Sequence, residues 1–90
     1  MHPDVQHIFN HDTFEAFKNH SEPQFIAEYM WTNNVITEKQ YQEIKGHTTD
    51  IGKAEHIWSL MKLERQYLEA VREALRVTNQ DALASMLQQP

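Results

Sequence analysis

The segment YLEAVREALRVTNQDALASML, Tyr67 to Leu87, reads as two helices joined by a corner. Leu63, Tyr67, Leu68, Val71 and Leu75 recur at helical spacing, which predicts an amphipathic helix running to Arg76. Arg65, Glu69, Arg72, Glu73 and Arg76 fall between the apolar positions and read as a solvated, ion-paired face. Thr78-Asn79-Gln80 breaks the helix, and asparagine tolerates the left-handed conformation such a stop prefers. A shorter helix restarts at Asp81 with Leu83, Met86 and Leu87 as its apolar positions.

The same pattern extends upstream. Thr48-Thr49-Asp50 offers caps for a fourth helix with Ile51, Ala54, Ile57, Trp58 and Met61 facing inward. Thr37, with Gln40 three residues later, is a capping box for a third helix, where Tyr41 and Ile44 point inward and Gly46 closes the segment. Ser21 before Glu22-Pro23 is a helix start, and Phe25, Ile26, Tyr29 and Met30 make one apolar face up to a stop at Asn33-Asn34. The first segment runs from Pro3 to Asn19; Asp12, with Glu15 three residues on, could cap its second half, so a bent or split first helix is expected. Two glycines and no extended alternating run leave no basis for a strand. Short connections favour antiparallel neighbours, so the expectation is one all-α domain, residues 1–90, built as a six-helix antiparallel bundle.

A chain of 90 residues depends on one compact core. Cysteine is absent, which excludes disulfides and thiolate chemistry and is compatible with a cytoplasmic protein. No apolar run reaches a membrane span, and MHPDVQHIFNHD lacks the pattern of a secretory signal. The net charge of −5 arises entirely before Lys62, since the acids and bases from there onward cancel. A negative chain without a basic stripe is not expected to bind nucleic acid or an anionic membrane.

Six histidines raise the question of metal. His7 and His11 stand at i, i+4 with Asp4 nearby, but zinc needs three or four converging ligands, and His20, His47 and His56 lie in other segments. Surface histidine on an acidic domain is the expectation; no metal and no cofactor are expected. Ser21 beside His20 has no glycine-rich elbow, and Gly46 and Gly52 are too isolated to cradle phosphate, so no catalytic residue is assigned and no enzyme is expected. Trp31 follows the inward positions of the second helix. It is either an exposed contact residue or folded back over the Asn33-Asn34 turn. Glu22, Glu28, Glu38 and Glu43 on the second and third helices could form a negative patch that steers a basic partner, or serve as ordinary solubilising charge.

The corner at Thr78-Asn79-Gln80 resembles the close of the caspase-recruitment domain (CARD), where the fifth helix turns into the sixth. VITEKQYQEI (Val35 to Ile44) is similar to the opening of that family's third helix, and KAEHIWSLM (Lys53 to Met61) to its fourth. The resemblance covers residues 20–88, the first helix being matched by pattern alone. It implies Greek-key, death-fold topology and a homotypic CARD–CARD interaction module of apoptotic or inflammasome and other innate-immune signalling. The implied partners are a CARD-containing caspase, adaptor or sensor, or further copies in a filament. In the family's commonest contact an acidic face on the second and third helices meets a basic face on the first and fourth. That places Glu22, Glu28, Glu38 and Glu43 on the acidic face and Lys18 and Lys53 on the basic one, with Trp31 and Arg65 as further candidate contacts.

Departures from the family bear on mechanism. Glu55 and His56 follow Lys53-Ala54 where bases are usual, so the basic face is thin. Lys62-Leu63-Glu64-Arg65 replaces a Gly-Pro link, which leads one to expect helices four and five closer to continuous. Two modes follow: a receiver that presents its acidic face to a more basic CARD, or self-assembly through Lys18 and Lys53. The alternatives are another death-fold subfamily, or a small helical structural or regulatory subunit without that topology.

Overall fold

Side-chain caps open three of the six described helices. The structure, a computed structural model, describes residues 9–87, and these form six helices and no strand: α1 (His11–His20), α2 (Pro23–Thr32), α3 (Glu38–Lys45), α4 (Asp50–Leu63), α5 (Arg65–Val77) and α6 (Asp81–Met86). Thr37 and Gln40 exchange both bonds of the expected capping box at the head of α3. Thr49 caps α4, its hydroxyl accepting from the Gly52 N–H at 3.0 Å.

Asparagine ends two helices in the same way. Asn34 at φ 61° and Asn79 at φ 63° are the two non-glycine residues with positive φ among those described. After α2, the Asn34 N–H donates to Trp31 O and the Val35 N–H to Met30 O. After α5, the Asn79 N–H donates to Arg76 O and the Gln80 N–H to Leu75 O. Each pair satisfies two otherwise unpartnered carbonyls, the arrangement known as a Schellman motif.

Other boundaries differ from expectation. Asn10, not Asp12, caps α1: it is extended and its Oδ1 accepts from the Thr13 N–H at 2.9 Å. Asp12 sits instead in the first turn, where a carboxylate favours the helix dipole. Ser21 ends α1 rather than starting α2: its N–H donates to Phe17 O, and its buried hydroxyl has no partner. Glu22 is the flanking residue of α2, without a side-chain cap bond, and Pro23 opens the helix with its φ already set. The expected bend or split of the first helix falls largely on residues outside those described.

Helices four and five are not continuous. Glu64, extended at φ −145° and ψ 143°, alone separates them, so the turn needs neither glycine nor proline. Leu63 therefore belongs to α4 and is 74 % exposed instead of joining the α5 stripe. Ile51, in the first turn of α4, is also exposed.

α5 packs on α2, α4 and α6 through Tyr67, Leu68, Val71, Ala74 and Leu75. α1 packs on α4 and α6, α2 on α3 and α4, and α3 on α4. Burying whole aliphatic side chains such as Ile57, Leu68 and Leu75 stabilises the fold by about 1.5–3 kcal/mol each before entropy is counted. Trp58 fastens α4 to the start of the described chain: Phe9, Phe14 and Phe17 surround it at centroid distances of 5.2, 5.0 and 5.5 Å. In α2 the buried side is Pro23, Ile26, Ala27 and Met30, while Phe25 and Tyr29 are half-buried against one another. Arg72 leaves the solvated face of α5, its guanidinium donating to Leu87 O at 3.4 Å at the end of α6.

Candidate protein-docking surface

Gln24, Glu28 and Trp31 stand at i, i+4 and i+7, so they form one stripe along α2. On α3, Glu38, Tyr41 and Lys45 share a face by the same rule. The two stripes meet at a flat aromatic stack: the rings of Trp31 and Tyr41 lie 4.4 Å apart and 9° from parallel. Tyr41 is buried by this contact and the core, while Trp31 remains 40 % exposed. Lys45 Nζ lies 5.7 Å from the Tyr41 centroid, a weak cation–π approach. The tryptophan is thus held flat against Tyr41 across two helices and stays partly exposed.

Hydrogen bonds brace the stripe from below. Gln24 Nε2 donates to Glu28 Oε2 at 2.9 Å and to Tyr41 Oη at 3.4 Å. Lys53 Nζ, from α4, donates to Gln24 Oε1 at 3.2 Å. One glutamine thus ties α2, α3 and α4 together, which orients the carboxylate of Glu28 beside the aromatic pair.

The four glutamates occupy different surroundings. Glu28 borders the stack, and Glu38, in the first turn of α3, shares the face of Tyr41. Glu22 lies at the head of α2, accepting from Gln80 Nε2 at 3.3 Å, and with Glu28 and Asp50 it lines a shallow depression. Glu43 faces α4, where its charge acts on His56. None of the four is ion-paired within the described residues. Glu38 and Glu22 also have a local role, since negative charge at a helix N-terminus is favourable there.

Lys18 and Lys53 are both engaged inside the chain. Lys18 Nζ pairs with Glu15 at 3.1 Å and Glu55 at 4.0 Å, and lies 4.4 Å from the Phe14 centroid. The hydrogen bond and charge of Lys18 hold the Glu15 carboxyl below its usual range. Lys18 meets α4 at Glu55, whereas Lys53 leans toward α2; residues two apart on a helix point to nearly opposite sides. The two lysines are not brought together. Arg65 is spent on Glu69 at 3.3 Å on α5.

Among the described residues no cluster of three or more histidines and carboxylates is placed to hold a metal ion. His11 is exposed at the head of α1, while His7 and Asp4 lie outside the described residues. His20 borders an apolar cleft of about 260 Å³ between α1 and α6 with Ala16, Leu83 and Met86. His47 and His56, which lie in different segments, meet at 3.0 Å. No described helix is long and apolar enough to cross a membrane. Gln24 and Lys45 carry much of the surface geometry yet were not singled out in the sequence. The i, i+4, i+7 spacing of Gln24 with Glu28 and Trp31 was the available signal. No family model, no curated protein and no solved structure matches this chain.

Proposed function

We propose that this chain is a protein-interaction domain of the CARD type, acting by binding and not by catalysis, and that it receives a basic partner CARD on the α2–α3 surface. The observation that carries this reading is the exposed Trp31, stacked flat on Tyr41 and bordered by carboxylates without ion-pair partners. A rigid aromatic with one open side is a low-entropy anchor, and the surrounding charge orients an incoming basic helix. Contacts between helices distant in sequence, α1 with α4 and α6 and α2 with α5, support Greek-key over up-and-down order. The placement of Lys18 and Lys53, each held in the chain and on different flanks of α4, supports the receiver mode over self-assembly. Cytoplasmic apoptotic or innate-immune signalling is the setting this reading implies.

The test is calorimetric titration of the purified domain with CARDs whose first and fourth helices are basic, at about 50 and about 300 mM salt. Salt-weakened binding that Glu28→Lys abolishes and Lys18→Glu, away from the braced stripe, leaves intact is the expected result. Absence of binding to every basic CARD, or binding indifferent to Glu28→Lys, sinks the proposal. Equal loss with Lys18→Glu replaces the receiver mode by self-assembly, which light scattering reads directly.

A further inference from the structure

His47 lies in the four-residue link between α3 and α4, and His56 lies on the second turn of α4. Their rings meet edge to face, 82° apart, with His47 Nε2 3.0 Å from His56 Nδ1. The link passes close to Gly52: a Cβ there would touch Cβ and Nδ1 of His47 at an ordinary 3.4 Å and crowd Thr49 Oγ1 at 3.1 Å. Thr49 ends the link on the first turn of α4, and the nitrogen-to-nitrogen hydrogen bond fastens its His47 part to the second turn. A neutral pair satisfies that bond with one ring donating and the other accepting. A first added proton goes to an outer nitrogen and leaves the bond charge-assisted. A second puts hydrogen on both facing nitrogens, and two like charges then oppose each other at contact distance.

We infer that the His47–His56 pair is a proton-operated clasp, holding the α3–α4 link on α4 while it carries at most one added proton and releasing it when both rings are charged. The charges around it are few. Glu43 of α3 acts on His56 and favours its protonation, while Lys45 and Asp50 flank the link in sequence. On α4 itself, Glu55 turns to Lys18 of α1 instead. Burial first, and His47 second, hold the His56 imidazole below its ordinary value of 6.5 against the opposing pull of Glu43.

The sign follows. Above pH 6.5 His56 is neutral in the closed and open forms, and the clasp contributes fully. As pH falls below 6.5 the charge-assisted bond accommodates a first proton, and closure weakens as the open form takes up the second, which the closed form resists. The release bears on the proposed docking surface only through α3, so its test is made on the unbound chain.

Long-range proton–nitrogen spectra of the whole chain, followed from about pH 8 to about pH 4, resolve each imidazole. The expected result is two separated steps for the pair, with His47→Gln returning His56 toward an ordinary single titration. The opening constant of the amides of residues 47–49, taken as the exchange rate divided by the intrinsic rate at the same pH, should rise by up to about tenfold for each unit that the pH falls between the ordinary value and the lower step. In His56→Gln the opening constant of the same amides should be high and independent of pH. A single common step, unchanged when either partner is replaced, overturns the clasp. So does equal exchange of the link in the variant and the native chain at neutral pH, which needs no acid form to remain folded.

Discussion

On α5, Arg65 closes on Glu69 at 3.3 Å and Arg76 on Glu73 at 2.9 Å, whereas on α2 and α3 the carboxylates of Glu28, Glu38 and Glu43 have no ion-pair partner among the described residues. The residue types and the helical spacings are alike in the two regions. Lys39 and Glu43 even stand at i, i+4, the spacing of Arg65 and Glu69, and yet do not close. The difference lies in what else each face carries. α5 neutralises its own charge over a core stripe and leaves no aromatic in the open, while α2 and α3 leave charge unpaired around an exposed ring. Charge that is already paired has little to offer a partner; unpaired charge beside a fixed aromatic has both direction and an anchor.

The sharpest way to break that contrast is to reverse charge on each side in turn. Glu28→Lys with Glu38→Lys should weaken binding to a basic CARD at least about hundredfold, since like charges juxtaposed across an interface cost several kcal/mol. Glu69→Lys with Glu73→Lys should leave the same binding within about twofold, as α5 stands outside the docking surface. Equal losses measured by titration calorimetry for both pairs would place the docking surface elsewhere. Trp31→Ala comes next, at about 2 kcal/mol of binding free energy, roughly thirtyfold in Kd. Its effect on urea unfolding should stay within about 1 kcal/mol, because the lost stack is half in solvent.

The helix corners give a smaller and more local separation. Asn34→Ala and Asn79→Ala should each destabilise by about 1 kcal/mol, the cost of a left-handed alanine, and the glycine variants should be close to neutral. Only the Asn34 change should also weaken binding, because that corner sets Trp31 against Tyr41, while Asn79 joins α5 to α6. Chemical unfolding and titration of the four variants check both statements.

The corners also show what could be read from the chain alone. Thr37 with Gln40, Asn33-Asn34 and Thr78-Asn79-Gln80 act within a few residues, so local chemistry announced them. The role of Ser21 was misread because Pro23 opens α2 without a side-chain cap, which leaves the serine to close α1 through its backbone N–H. Ile51 and Leu63 have the right period for the core and are exposed, since a helical stripe says nothing of where its neighbours end. The candidate surface was legible at Trp31 and Glu28. Its organisation by Gln24, Tyr41 and Lys53 was not, because those contacts join residues as far apart as 29 positions. The meeting of His47 with His56 is hidden for the same reason.

The smallest effect tests the paired side of the contrast directly. Both partners of the Arg76–Glu73 pair are close to half exposed, so solvent and salt screen it even at 2.9 Å. Glu73→Gln should then cost no more than about 0.5 kcal/mol in urea unfolding, and less in about 0.5 M salt. Glu43→Gln removes a carboxylate that has no cation to lose and whose charge acts on His56. It should change stability by still less at neutral pH, where His56 is uncharged, so neutralising the two glutamates ranks the faces by pairing and not by charge count. A larger loss for Glu43→Gln than for Glu73→Gln would mean that the α3 carboxylate already has a structural role inside the bundle, and the division between self-neutralised and outward-facing charge would have to be redrawn at that helix.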